Sequence, residues 1–275
     1  MKLTREWITG FVDGDGCFTI NKSRFPTLTH FFVVSQDQKS VDVLYALKKE
    51  FGCGAVNRAG GTQCNYTISK VEHIRDVCIP FFIKNPLQTK KKNAFYLWAL
   101  SFQKYMIARN QDPGIPVPPT GEEYKLSAGW FRGFVDADGC FYASIVEGYI
   151  KPRFIIGAQR DDKELIQECQ RLIKCGTVHT GNPGGFETLQ VSTLEDLEKK
   201  LVPFFETRGS AVLLRTRKRI AFQKFRKILR LMMEKRHLSS PGAERVKKYV
   251  CQLSLENRPQ REKELIAQDT VQTDC

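Results

Sequence analysis

The chain has no apolar run approaching the roughly 18 residues that a membrane-spanning helix requires, so no transmembrane segment is expected. Its N-terminus, Met1-Lys2-Leu3-Thr4-Arg5-Glu6-Trp7, has neither the apolar core of a signal peptide nor an Arg-rich, acid-free presequence, and the expectation is an intracellular protein. Histidine is scarce, with four residues and no His-x-x-x-His pair, and the nine cysteines include no CxxC pair. A zinc site is therefore not expected. The odd cysteine count fits free, mostly buried thiols in a reducing compartment. At 41% hydrophobic and 27% charged residues, with 20 glycines and 12 prolines, the chain is neither collagen-like, low-complexity nor a disulfide miniprotein.

Acidic residues are also in deficit. Lys and Arg number 43 against 30 Asp and Glu, a net charge of +13 with a pI near 9.3. Such an excess suits a polyanionic partner, and nucleic acid is the usual one. It is uneven: from Lys199 to Arg236, 13 basic residues face only Glu206 and Glu234. That run reads as a strongly basic helical face.

What is present is a repeat. Trp7-Ile8-Thr9-Gly10-Phe11-Val12-Asp13-Gly14-Asp15-Gly16-Cys17-Phe18 recurs as Trp130-Phe131-Arg132-Gly133-Phe134-Val135-Asp136-Ala137-Asp138-Gly139-Cys140-Phe141, identical at nine of twelve positions with an offset of 123. Collinear matches follow at Ser35-Gln36-Asp37 and Ala158-Gln159-Arg160, at Pro80-Phe81-Phe82 and Pro203-Phe204-Phe205, and at Leu87–Phe95 and Leu214–Phe222. Between the copies, four prolines within Arg109–Gly121 mark an extended linker. The expected organisation is an N-terminal half at 1–108, a linker at 109–125, a C-terminal half at 126–238 and an extension at 239–275 carrying a docked helix near Ala243–Leu255. Two tandem copies of one fold imply a pseudo-two-fold axis, a dimer made into a single chain.

Each copy has the same order of elements. Thr4 is a fair N-cap for a helix through Trp7, Ile8, Phe11 and Val12. Strands follow at Cys17–Arg24 and Thr29–Ser35, an amphipathic helix at Ser40–Phe51, a strand at Gln63–Ser69, and helices at Val71–Phe82 and Lys90–Arg109. The second copy repeats the strands at Cys140–Val146, Arg153–Ala158 and Phe186–Ser192. The fold class is α+β, with helices packed on one face of an antiparallel sheet.

Glycine inside a helix costs about 1 kcal/mol, so Gly10 and Gly133 need a reason, and close approach of two helix backbones is the best one. Packing there would run the two motif helices side by side and bring Asp15 and Asp138 together at their C-terminal ends. Two carboxylates repel each other and the negative ends of the helix dipoles unless a cation intervenes. The pattern therefore suggests a divalent metal, and these oxygen ligands suit Mg²⁺, which retains waters and takes phosphate oxygens.

Ile8 to Gly16 and Phe131 to Gly139 resemble the two signature motifs of the LAGLIDADG homing endonucleases, in the single-chain class, and the resemblance runs from Trp7 to about Arg236. It implies two pseudo-symmetric repeats, each a saddle-shaped antiparallel sheet on DNA, and a monomer whose motif helices form the interface between halves. It implies a site-specific endonuclease that makes a metal-dependent staggered double-strand cut with 3′ overhangs at an asymmetric site of roughly 20 bp. Mg²⁺ would be the cofactor, with Mn²⁺ substituting and Ca²⁺ binding without efficient cleavage. By position, Asp15 and Asp138 would be metal ligands, with Gly14 and Ala137 lending carbonyls. Gln36 and Gln159 match the polar residue ending the second strand, and Lys91 and Lys218 the basic residue that begins a late helix. Asp13 and Asp136 look like structural helix-end residues. Lys90, Lys92, Arg217 and Arg219 crowd the same turns and are phosphate-contact candidates. The expected compartment is an organelle, chloroplast or mitochondrion, with a bacterial or cytosolic origin left open.

The outward strand residues are polar: Thr19, Asn21, Ser23, Arg24, Thr29, Gln63, Asn65 and Thr67, then Ser144, Thr188 and Gln190. A β-ribbon fits the major groove, where Asn and Gln read adenine and Arg reads guanine. The basic run Lys199–Arg236 would add backbone contacts and salt dependence. The partner is double-stranded DNA, with host intron RNA as a second candidate and no membrane. An intron-splicing maturase, or a non-cleaving sequence-specific DNA-binding protein on the same scaffold, is the alternative; the two intact motif acids argue for cleavage.

Overall fold

The computed structural model describes residues 2–24, 27–119, 121, 123–159, 162–180, 186–207 and 212–257. Helix α1 (Arg5–Asp15) opens with the Thr4 hydroxyl accepting from the Trp7 amide at 3.2 Å. It runs directly into strands β1 (Gly16–Arg24) and β2 (Thr27–Asp37), helix α2 (Val41–Phe51) and strands β3 (Ala55–Gly60) and β4 (Gln63–Ile68). An irregular helix over residues 71–84 and α3 (Lys91–Ile107) complete the first half. The second half repeats this with α4 (Ala128–Asp138), β5 (Cys140–Val146), β6 (Tyr149–Gln159), α5 (Lys163–Ile173), β7 (Thr177–His179), β8 (Phe186–Val191), an irregular helix over 194–204 and α6 (Lys218–Met233). Helix α7 (Ser240–Asn257) follows. Among the described residues no helix is long and apolar enough to cross a membrane.

The two sheets are antiparallel, with orders β1-β2-β4-β3 and β5-β6-β8-β7. Alternation sorts each strand into a core face and an outer face. On the core face the repeat is kept ring by ring. Phe18 meets Phe32, Phe82, Phe95 and Trp98 at centroid distances of 5.2, 5.4, 5.2 and 5.3 Å. Phe141 meets Phe154, Phe205, Phe222 and Phe225 at 5.3, 5.5, 5.2 and 5.6 Å. The paired Pro80 and Pro203 have a local consequence. Proline lacks an amide hydrogen and crowds the preceding helical turn, and each helix widens to a π-type turn just before it, at Ile74–Cys78 and Leu197–Leu201.

The sequence reading misses β3 and β7, which lack an alternating apolar side; every β3 residue except Val56 is exposed. It also begins β6 four residues late. Glu147 and Gly148 both adopt positive φ, +52° and +80°, and make a two-residue hairpin turn between Val146 and Tyr149. That turn extends the ribbon through Tyr149, Ile150 and Lys151. The linker lies against the first half, with Val117 buried in its core and the Lys125 amide donating to Gln88 at 2.8 Å. Helix α7 buries Val246 and Leu253 in the second core, so it is built into that half.

The halves meet along α1 and α4. A Cβ on Gly10 would lie 2.9 Å from the Phe134 main-chain nitrogen and would drive into the Trp130 carbonyl oxygen; one on Gly133 would lie 2.8 Å from the Phe11 nitrogen and would drive into that of Trp7. Backbone cannot move aside as a flexible side chain can. Gly10→Ala is expected to destabilise the protein by about 3 kcal/mol, lowering Tm by roughly 8 °C. An unchanged Tm in thermal unfolding would show that the helices do not meet at these glycines.

Candidate active site between the halves

The motif helices end side by side, and both terminal acids sit at the negative pole of a helix. A Cβ on Gly14 would lie 2.7 Å from Asp138 Oδ2, so the second acid reaches across onto the end of the first helix. Asp15 is half-buried and Asp138 is exposed. The Asp15 carboxyl is pushed up to about 7, first by burial and then by the facing Asp138; Lys218, Lys91 and the Gln36 amide pull the other way. Partial desolvation also raises Asp138, against Lys218 and Lys91.

Of the crowded basic residues, Lys91 and Lys218 are the two that reach the helix ends. Lys91 Nζ donates to the Gly14 carbonyl at 2.7 Å and the Val12 carbonyl at 3.0 Å. Lys218 Nζ donates to the Ala137 carbonyl. Burial lowers both ammonium pKa values, and the nearby carboxylates partly restore them. Their neighbours do not bond the helix-end carbonyls, although Lys90 and Arg217 line the flanking recesses. Lys92 Nζ donates to the Gly121 carbonyl at 2.7 Å and lies 5.2 Å from the Tyr124 ring, so it ties the turn to the linker. Arg217 is paired with Glu256 at 2.9 Å. Lys90 and Arg219 are exposed.

Asp13 and Asp136 do not face the gap; each is buried and accepts four hydrogen bonds at 2.7–3.0 Å. Asp13 takes the Gln88 and Thr89 amides, the Thr89 hydroxyl and Trp130 Nε1. Asp136 takes the Arg215 and Thr216 amides, the Thr216 hydroxyl and Trp7 Nε1. Each indole therefore crosses to the other half. The threonine so held accepts the amide of its lysine, Lys91 or Lys218, at 3.2 Å. The cross-half pairing is visible in sequence only as the repeated Trp and Asp; their meeting needs the helix crossing.

Two recesses of about 530 and 590 Å³ flank the paired acids. One gathers Asp15, Gln36, Ala137 and Lys218; the other gathers Asp138, Gly14, Lys91 and Gln159. Each thus mixes residues of both halves. Among the described residues no three His, Cys, Asp or Glu side chains converge as a metal cage. The donor set here is two carboxylates and two main-chain carbonyls. That fits a hard divalent cation that completes its shell with water and phosphate, as Mg²⁺ does.

The two glutamines are not equivalent. Cys17 pairs with Val33, whereas its counterpart Cys140 pairs with Ile155, so the second strands correspond at an offset one residue smaller than the first strands. Gln36 pairs with Cys64, and the residue paired opposite the counterpart Glu187 is Ala158. Gln36 therefore lies on the core side, where its amide donates to Asp15. Gln159 sits in register with Asp37, on the outer face. The match at Gln36 and Gln159 is one residue out because the first hairpin is longer.

Register places Thr19, Asn21, Thr29, Gln63, Asn65 and Thr67 on one outer face, and Ser144, Thr188 and Gln190 on the other. The side chains of Ser23 and Arg24 lie outside the described residues. Ser35 and Asn57 share the first face, and Tyr142, Lys151, Arg153, Thr177 and His179 the second. The Glu147-Gly148 turn signal would have added Lys151. Part of the basic run pairs within the protein. Lys199 and Lys200 pair with Glu195 and Asp196, Lys224 with Glu256, and Arg226 with Glu198 and Glu206. Most of these acids lie outside the window that made the run look unopposed.

The family described as LAGLIDADG endonuclease matches residues 8–101 and 131–229. A probable intron-encoded endonuclease 4 of Neurospora crassa is 27% identical over 241 residues, 84% of this chain and 41% of the relative. The intron-encoded RNA maturase bI4 of Saccharomyces cerevisiae is 26% identical over 134 residues, 49% of this chain and 18% of the relative. The chain thus spans about two-fifths or less of these curated relatives. Among solved structures, the I-SmaMI LAGLIDADG homing endonuclease bound to cleaved DNA gives a TM-score of 0.77 at 23% identity, covering 90% of this chain and 96% of that one. The same enzyme bound to an uncleaved DNA target with calcium ions also gives 0.77, at 22% identity, 90% and 98%. At this identity the likeness shows the shared fold of two sheets backed by helices.

The raised Asp15 pKa has a stability consequence. The folded state holds its proton up to about pH 7, whereas the unfolded chain releases it near the ordinary value of 3.8, so metal-free stability falls as pH rises between those values. In EDTA, Asp15→Asn is expected to raise Tm at about pH 8 and to leave it nearly unchanged at about pH 5, where Asp15 is mostly protonated. Equal shifts at both pH values would count against a carboxylate held up by burial and by Asp138.

Proposed function

Because the chain belongs to the LAGLIDADG endonuclease family, we propose that it is a site-specific DNA endonuclease that cuts both strands of a long asymmetric target with metal assistance. The observation that carries this reading is the pair of acids, Asp15 and Asp138, held at abutting helix ends between two sheets, with Lys91 and Lys218 beside them. The I-SmaMI complexes with cleaved and uncleaved DNA support it through the shared fold.

The outer sheet faces would read base edges in the major groove. Two halves of about one helical turn each give a site of roughly 20 bp, and the unlike faces make it asymmetric. Asp15 and Asp138, with the Gly14 and Ala137 carbonyls, would hold Mg²⁺. When bound, Mg²⁺ would supply polarisation of the phosphate and a lowered pKa for an attacking water. Lys91 and Lys218 are ammonium groups placed to offset charge on the phosphate as it gains a fifth oxygen. Gln36 fixes the Asp15 carboxylate. The cut is proposed to leave short 3′ overhangs, the active form to be a monomer, and the site of action to be the organelle whose intron carries the gene. Mn²⁺ would substitute, and Ca²⁺ would bind without efficient cleavage.

Selection of cut duplexes from a randomised DNA library, in Mg²⁺ and in EDTA, tests the reading. The wild-type protein should yield one consensus of roughly 20 bp, cut only with metal. Asp15→Asn/Asp138→Asn should lose at least about a hundredfold in rate while still binding that site. A second reading, an RNA maturase, is favoured by the likeness to bI4; bound but uncut DNA would displace the endonuclease reading in favour of a maturase or of a non-cleaving sequence-specific DNA-binding protein on the same scaffold.

A further inference from the structure

We infer that the two active sites are unequal, and that Gln36 is a positioning residue that makes the Asp15 side the faster, so that one DNA strand is nicked before the other. The inference rests on the endonuclease reading and deepens it.

Three observations converge. First, Gln36 donates its side-chain amide to the Asp15 carboxylate, and this bond crosses from the end of β2 to the end of α1. An acid gripped by a donor on a sheet keeps one orientation; an acid on a helix end alone samples several rotamers. Second, the sheet register puts Ala158 at the corresponding place in the other half, and a methyl group donates nothing. Gln159, one residue on, leaves β6 on the outer face, because successive side chains point to opposite sides of a strand. It reaches the Asp138 recess from the DNA side and not from the core side. Among the described residues, no side-chain donor holds Asp138, which is also the more exposed acid.

Third, the surroundings of the two sites differ in the same sense. Glu256 of α7 lines the Asp15 recess and binds both Arg217 and Lys224, each at 2.9 Å. This ties the turn before Lys218 to the C-terminal helix. In the other recess the equivalent turn is tied differently: the Lys90 amide donates to Asp162 at 2.7 Å, and the Lys92 ammonium donates to the Gly121 carbonyl of the linker at 2.7 Å. The Asp15 side therefore has its acid held by a side-chain amide and its basic turn tied to α7 by an ion pair, while among the described residues no side-chain donor holds Asp138 and the Lys90–Lys92 turn is tied to Asp162 and the linker.

The test uses the site recovered by selection, cloned in a supercoiled plasmid and also prepared with each strand separately end-labelled. The full-length protein should accumulate nicked circles broken in one particular strand. Gln36→Ala should slow that strand about tenfold, with the other strand within about twofold, so the nicked intermediate shrinks. Gln36→Met keeps the side-chain length but removes the donor; it should act the same way even if the smaller alanine disturbs packing. Ala158→Gln, which offers Asp138 the missing amide, should speed the slower strand. A variant that merely loosens the fold would slow both strands alike, and the ratio would not move. Equal wild-type rates on the two strands, or Gln36 variants that slow both strands together, would overturn the inference while leaving the endonuclease reading standing. Binding of the selected site with no break in either strand would overturn both.

Discussion

Everything at the centre of this molecule depends on a reciprocal bridge between a buried carboxylate and an indole. Trp7 donates to Asp136 and Trp130 to Asp13, at 2.9 and 2.7 Å, each across the boundary between the halves. A buried carboxylate left unsatisfied is costly, so each half needs the other to complete its acid's donor set. The same two acids pin the Thr89 and Thr216 turns that start the lysine-bearing helices. Docking of the halves and placement of Lys91 and Lys218 are thus one event. Gly10 and Gly133 allow it by letting the helix backbones touch.

Once the helices are in contact, the second pair of acids has no escape. Asp15 and Asp138 lie at the negative ends of two helices, facing one another, and the two lysines offset only part of that charge by proximity. The structure therefore stores an electrostatic cost that a cation between the two acids would relieve. The inner acids of the motif hold the fold, and the outer acids face the gap between the halves; the repeat Asp-x-Asp sets them two residues apart, which at a helix end is enough to turn one side chain inward and the other outward.

Charge is distributed less simply than composition implies. The net excess is real, yet Lys199, Lys200, Lys224 and Arg226 are spent on ion pairs within the second half. The half-buried Arg226, held between Glu198 and Glu206, is a structural residue that a charge count cannot tell from a phosphate contact. Lys151 and Arg153 lie on the outer face of the second sheet, and Lys90 lines the recess beside Asp138.

The amino-acid sequence by itself determined that the chain is a tandem repeat of one α+β unit, because strand and helix periods, caps and the duplicated Gly and Asp positions are local or self-comparing signals. It likewise singled out Asp15, Asp138, Lys91 and Lys218, since these recur at matched places and the structure brings them together at the helix ends. Only the tertiary structure decided that Gln36 and Gln159 are not partners. A one-residue difference in hairpin length is invisible when two short motifs share a glutamine, but in a sheet it moves a side chain to the opposite face. Only the tertiary structure, too, showed that the tail helix belongs to the second core, that β3 and β7 exist, and that each indole serves the other half. These are contacts between residues far apart in the chain, and their pairing is set by packing and register, which sequence spacing does not encode.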